Sequence, residues 1–167
     1  MEYKTGTEDF IDHLGNPVKK PPEAPVVWRP SAYALISAGN RLLVVEAAAC
    51  PGLWTLPGGG IEPHESLFDG LVRECREELG EEIVVDPQMP HYLAENNFYF
   101  KWTGEYTHAL IMVFSARFVD RNVYERMLLA PDPEEIIRIE WLSLGDGVRE
   151  TDFHPIVRPF IRSYLKR

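Results

Sequence analysis

Glu74, Glu77 and Glu78 fall at spacings of three and four in the chain. On a helix those spacings put side chains on one face. Like charges held so close repel, and the Glu74 and Glu78 pair alone costs a helix about 0.2–0.5 kcal/mol. The three belong to a denser run, because residues 56–82 carry eight carboxylates: Glu62, Glu65, Asp69, Glu74, Glu77, Glu78, Glu81 and Glu82. A Glu-rich helix ordinarily turns such a face to solvent and offsets it with pairs such as Arg73 and Glu77. Here Leu67, Leu71 and Cys75 form the adjoining stripe, so the acidic face borders the buried side. Just upstream stand Gly58, Gly59 and Gly60, whose backbone can approach a ligand closely and offer it a carbonyl. A carbonyl and several carboxylates make an oxygen-rich set suited to a hard cation such as Mg²⁺. Such a cation would offset the repulsion and leave open positions for a phosphate.

Those residues need elements to hold them. Apolar positions recurring at Leu67, Leu71, Cys75 and Leu79 predict a helix over 65–79, with Gly80 as its stop. Before it, β-type runs at 32–38 and 41–47 flank Gly39-Asn40, which reads as a hairpin. A loop with a short extended piece at 53–56 leads into the glycines. After the helix, "EEIVVD", "YLAENNFYFKW", "HALIMVFSARFVD" and "IIRIEWLSLGD" read as strands. "DRNVYERMLLAPDPEE" reads as a charged loop, and "FHPIVRPFIRSYLKR" as a terminal helix whose start Pro159 obscures. Hairpins together with a helical crossover imply an α+β or α/β domain with a mixed sheet. Residues 1–30 read as an extended N-terminal arm, proline-rich from Pro17, and 31–167 as the domain proper.

The run from Gly59 to Glu81 resembles the Nudix box: a glycine, five residues, Glu, seven residues, then Arg-Glu-apolar-any-Glu-Glu-any-Gly-apolar. Gly59, Glu65, Arg73, Glu74, Glu77, Glu78 and Gly80 occupy its fixed positions. Chance agreement at seven positions is on the order of 10⁻⁸ for one alignment. The lead-in "LWTLPGGGIE" is also similar to that family's. Two positions depart: Glu81 takes the last apolar slot, and His64 stands where a glycine often precedes the first Glu.

The resemblance implies an α+β fold, the α/β sandwich of the Nudix type, with a central catalytic helix and a C-terminal helix. It implies a metal-dependent pyrophosphohydrolase acting on a nucleoside diphosphate linked to another moiety, with Mg²⁺ or Mn²⁺. By position Glu74, Glu77 and Glu78 would be metal ligands, joined by the Gly58 carbonyl. Arg73 would orient them and Glu65 would support them. The general base varies in the family. Glu134, Glu135 and Glu140 are candidates outside the box, and Glu140, just before Trp141, is favoured. Tyr99 lies near the place where dinucleoside-polyphosphate members carry a tyrosine, which marks it for substrate binding. Asn96 stands where ADP-ribose members have proline. The alternation of Phe98, Phe100 and Trp102 fits base stacking or core packing on one sheet face. The family also allows a nucleotide sensor without turnover and an enzyme of RNA 5′ ends.

Bulk properties narrow this further. The formal net charge is −9, against a general nucleic-acid binder. No apolar run approaches a membrane span, and residues 1–15 lack the pattern of a signal peptide. Two cysteines, Cys50 and Cys75, are too few for a disulfide scaffold and fit reduced thiols of the cytoplasm. The expected partner is a small molecule, and the proline-rich arm is long enough to cross to a second subunit in a homodimer.

Overall fold

The structure, a computed structural model, describes residues 9–145 and 147–166. Its strands are β1 (Asp9–Ile11), β2 (Pro17–Lys19), β3 (Val26–Leu35), β4 (Ser37–Ala38), β5 (Arg41–Ala47), β6 (Gly58–Gly60), β7 (Ile83–Val85), β8 (Tyr92–Phe100), β9 (Glu105–Phe118) and β10 (Ile136–Ser143). Its helices are α1 (Leu67–Leu79) and α2 (Arg158–Tyr164). A seven-stranded sheet runs β2-β1-β8-β9-β3-β6, with β7 also paired to β9. The second sheet is β10-β5-β4. The β3–β9 and β1–β8 pairs are parallel and the other pairs antiparallel, so the sheet is mixed as expected. Among the described residues no helix is long and apolar enough to cross a membrane.

The middle strands are covered on both faces. Along β3 and its exit, Ala32, Ala34 and Ile36 face one buried cluster with Leu71, Cys75 and Leu79 of α1. Tyr33 and Leu35 face a second, with Phe160 and Ile161 of α2. β5 divides in the same way, Leu43 and Val45 to the helix α1 side, Leu42 and Val44 to the other. Strands buried on both faces read as unbroken apolar runs, which is why "RLLVVEA" shows no polar alternation. Burying one such Leu side chain contributes about 1.5–3 kcal/mol.

Two expected elements differ in their bounds, for local reasons. The helix starts at Leu67 because Ser66 caps it, its hydroxyl accepting the Asp69 N–H. That leaves Glu65 outside the helix, free to reach back to Arg73. The expected hairpin around Gly39 forms, with Ser37 opposite Leu42. Its first strand is split, however: β3 ends at Leu35 in the large sheet, and β4 resumes at Ser37 in the small one. Ile36 bridges them, its carbonyl accepting the Leu43 N–H at 2.9 Å.

The segment read as an extended arm is extended, and much of it is paired. β1 and β2 form a hairpin that adds to β8, and Val26 to Pro30 pair with Tyr106 to Leu110 of β9. Phe10 is buried against the Tyr106 ring. Pro17 is tolerated because β2 is the edge strand, where no ladder donor is required. Residues 1–8 lie outside the described residues.

Candidate active site

α1 delivers the box residues along its side facing β6. Arg73 is the hub. Its Nε and Nη2 meet the two oxygens of Glu65 at 3.0 and 2.8 Å, a bidentate pair. Its Nη1 donates to Glu74 at 3.1 Å and to Glu77 at 3.0 Å, and Nη2 also reaches the Gly60 carbonyl at 3.2 Å. The paired Arg73 guanidinium holds the Glu65 carboxyl down at about 2, helped by the Glu62 N–H. Glu65 in turn raises Arg73 further above its already high range.

The glycines are explained one by one. Gly58 has φ 129°, and a Cβ there would lie 2.2 Å from the Ala32 carbonyl oxygen, so only glycine fits against β3. Its N–H donates to Glu78 Oε2 at 2.8 Å. A Cβ on Gly59 would lie 2.7 Å from Glu74 Oε2, and one on Gly60 would lie 2.6 Å from Arg29 Nε. The triplet thus clears room for a strand, a carboxylate and a guanidinium in turn.

Glu74 and Glu78 are half-buried. Burial raises the Glu74 carboxyl, and Arg73 opposes the rise. Burial pushes Glu78 to about 8, with Glu74, Glu135 and Glu77 adding to it against the Gly58 N–H. Glu77 stays exposed beside Arg73. Among the described residues no three His, Cys, Asp or Glu side chains converge as a preformed metal cluster. The donor set still fits a hard divalent cation. It is all oxygen, it is crowded with like charge, and Glu78 is driven towards its neutral form for want of a counter-charge.

These carboxylates open on a cavity of about 390 Å³. Glu74, Glu78 and Glu135 line its acidic end. Phe100, Trp102 and His154 line another part, with Arg29, Ser31, Tyr33 and Thr55 also on its walls. The Arg29 guanidinium lies 5.8 Å from the Phe100 ring centre. Phe98, Phe100 and Trp102 form a continuous aromatic series, backed by the His13 ring of the β1–β2 hairpin 6.1 Å from Trp102. Of that alternating trio, Phe98 is core and the other two face the cavity.

The residues singled out outside the box divide. Glu135 lines the cavity beside Glu78. Glu140 sits on β10 opposite Val44, 3.5 Å from Arg138, and lines a separate groove with Met127 and Trp141. Tyr99 points to the side of the sheet opposite Phe98 and Phe100, its ring tilted against that of Tyr106 with centroids 4.7 Å apart. Glu134 is exposed. Of the box acids without assigned chemistry, Glu81 pairs with Arg126 and Glu82 with Arg76, while Asp69 joins the Ser66 cap. His64 is exposed.

Sequence reading missed Arg29, Tyr33, Thr55 and His154. A signal existed for two of them: Arg29, Ser31 and Tyr33 are alternate residues and line one wall. Starting the strand at Ala32 hid that alternation. Nothing local marks Thr55 or His154, which a loop and the approach to α2 bring in from far along the chain.

A family model described as NUDIX domain matches residues 27–164. The chain is 30% identical over 139 residues to the NAD-capped RNA hydrolase NudC of Stutzerimonas stutzeri, covering 83% of this chain and 45% of that protein. It therefore spans less than half the length of that relative. It is 32% identical over 142 residues to the isopentenyl-diphosphate Delta-isomerase of Cereibacter sphaeroides, covering 78% and 72%. Among solved structures, a MutT protein from Methanosarcina mazei Go1 superposes with a TM-score of 0.62 at 25% identity, covering 86% of this chain and 96% of that one.

Proposed function

This chain belongs to the Nudix family, and on that premise we propose that it is a divalent-metal-dependent hydrolase of a pyrophosphate bond in a nucleoside diphosphate linked to another moiety. One observation carries the reading. A single cavity joins the acidic end at Glu74, Glu78 and Glu135 to the cationic Arg29 and to the aromatic walls at Phe100 and Trp102. A phosphate chain needs the first two and a nucleobase suits the third. The phosphate-bearing substrates in the names of the two relatives fit the same acidic end.

Glu74 and Glu78, with Glu77 and the Gly58 backbone, would hold Mg²⁺ or Mn²⁺. When bound, the ion would neutralise phosphate charge and acidify a water. Arg73 positions Glu74 and Glu77 and is itself fixed by Glu65, so the acidic face stays in place without substrate. Arg29 supplies fixed positive charge to the phosphates. Glu135 is the acid from outside the helix that lines the cavity. It is therefore our choice for accepting the proton of the attacking water, in place of Glu140.

The test is a panel of nucleoside diphosphate sugars, dinucleotides and nucleoside triphosphates with Mg²⁺ or Mn²⁺, scored for release of nucleoside monophosphate or phosphate. Turnover that depends on metal and disappears in Glu78→Gln supports the reading. Tight binding of one member without turnover would instead indicate a sensor, and turnover confined to triphosphorylated or capped RNA would indicate an enzyme of RNA ends. Rearrangement of an allylic diphosphate without phosphate release would indicate an isomerase.

A further inference from the structure

His154 lies just before α2, 80 residues beyond Glu74, yet it lines the same cavity. Its backbone is pinned on both sides. The N–H donates to the Trp54 carbonyl at 2.7 Å, and the carbonyl accepts from Val157 and Arg158 at 3.1 Å each. The ring is buried and stacks on Phe98 at 6.0 Å. Nδ1 accepts the Ile156 N–H at 3.2 Å. That hydrogen bond assigns the tautomer: a neutral ring accepting at Nδ1 carries its proton on Nε2. Burial keeps the ring neutral, at about 4, and the nearby His13 and Arg158 act in the same direction. Nε2–H has no partner among the described residues. With Nδ1 taken by the Ile156 N–H, it is the ring's open donor on a cavity wall shared with Phe100 and Trp102.

A donor left open at a cavity wall is satisfied by whatever enters. Phe100 and half-exposed Trp102 offer faces for a flat ring beside it. We propose that His154 is a specificity-determining residue, whose Nε2–H donates to an acceptor on the edge of the nucleobase that stacks on Phe100 and Trp102. This rests on the reading of the cavity as a nucleoside diphosphate site. It adds how the base is distinguished: the site favours a base whose edge nearest His154 is a carbonyl oxygen or an unprotonated ring nitrogen. A base presenting an amino group there leaves two donors facing each other.

The experiment compares adenine, guanine, uracil and cytosine diphosphoglucoses with Mg²⁺ in the wild type and two variants. His154→Asn keeps an acceptor near Nδ1 for the Ile156 N–H but lacks the outer donor. His154→Gln keeps a donor near Nε2. The expected result is that the wild type prefers some bases. His154→Asn should raise KM for the preferred base about tenfold, leave kcat within about twofold and erase the preference, and His154→Gln should restore part of it. A wild type indifferent to the base overturns the proposal. So does an Asn variant with its preference intact, or a fall in kcat with KM unmoved.

Should the variants fail to fold, nitrogen-15 spectra of the wild-type imidazole decide. Nε2 must carry the proton at neutral pH, and its resonance must move on addition of AMP, GMP, UMP or CMP. A resonance unmoved by all of them, or a proton on Nδ1, overturns the proposal. Failure of the broader reading looks different: no compound of the wider panel is hydrolysed, whatever His154 does.

Discussion

The two ends of the cavity are built in opposite ways. The acidic end comes mainly from one short segment: Glu65, Arg73, Glu74, Glu77 and Glu78 lie within 14 residues, and one guanidinium ties Glu65, Glu74 and Glu77 together. The aromatic end comes from scattered segments: Arg29 on β3, Thr55 before the glycines, Phe100 and Trp102 at the end of β8, and His154 before α2. The first end is held by charge, with one arginine shared among three carboxylates and Glu78 held by the Gly58 N–H. The second is held by burial and backbone pairing. A local, charge-built end can keep its chemistry constant while the dispersed end is re-lined one residue at a time.

The contrast can be broken at either end. Glu78→Gln should have the largest effect, lowering metal-dependent kcat by about 10²–10³-fold, as expected for deleting a preorganised charged group. The same variant should not unfold the protein. The raised Glu78 carboxyl is protonated in both states below its ordinary value of 4.5, so its effect on stability is nil there. Between that pH and about 8 the unfolded chain ionises first and native stability is lost. Without divalent ions, the wild type should therefore lose thermal stability as pH rises through this window, and Glu78→Gln should lose less. Adding Mg²⁺ should raise the wild-type midpoint and barely move the variant. Equal Mg²⁺ shifts in both would remove Glu78 from the metal set.

Arg73→Ala comes next. It frees Glu65 and leaves Glu74 and Glu77 unpaired, and a fall of about 10–100-fold in kcat is expected from loss of an orienting partner. A variant with normal kcat would show that the carboxylates hold themselves. Arg29→Ala should act on the other quantity, raising KM about tenfold or more through one lost charged contact, with kcat little changed. A pure kcat effect there would move Arg29 into the chemistry.

The smallest effects are expected at Tyr99 and Glu140. Tyr99→Phe and Glu140→Gln should leave kcat and KM within about twofold, because neither side chain lines the cavity. A tenfold loss in Glu140→Gln, with Glu135→Gln silent, would reverse the choice of base made above.

How far each end could be read follows from the same contrast. Spacing on one helix fixed the relation of Glu74, Glu77 and Glu78 before any tertiary fact was known, because helical geometry is local. Gly80 as stop framed the end of that helix for the same reason, whereas the Ser66 cap that sets its start was not read from the chain. The mixed sheet and two helices followed from the order of apolar periods. Glu135 was only one of several loop acids until the fold set it beside Glu78. Phe100 and Trp102 were suspended between core and ligand, since alternation gives a shared face but not what covers it.

The sequence by itself determined the carboxylate face, the arginine within it and the glycines that make room for both. Those are short-range matters of helix pitch, charge and Cβ clearance. Tertiary structure alone decided which distant side chains complete the cavity. It put Arg29 over Gly60, turned Tyr99 away, sent Glu140 to another groove and brought His154 to the cavity wall. Those outcomes depend on which strand lies beside which, and pairing over many tens of residues leaves no periodic trace in the chain.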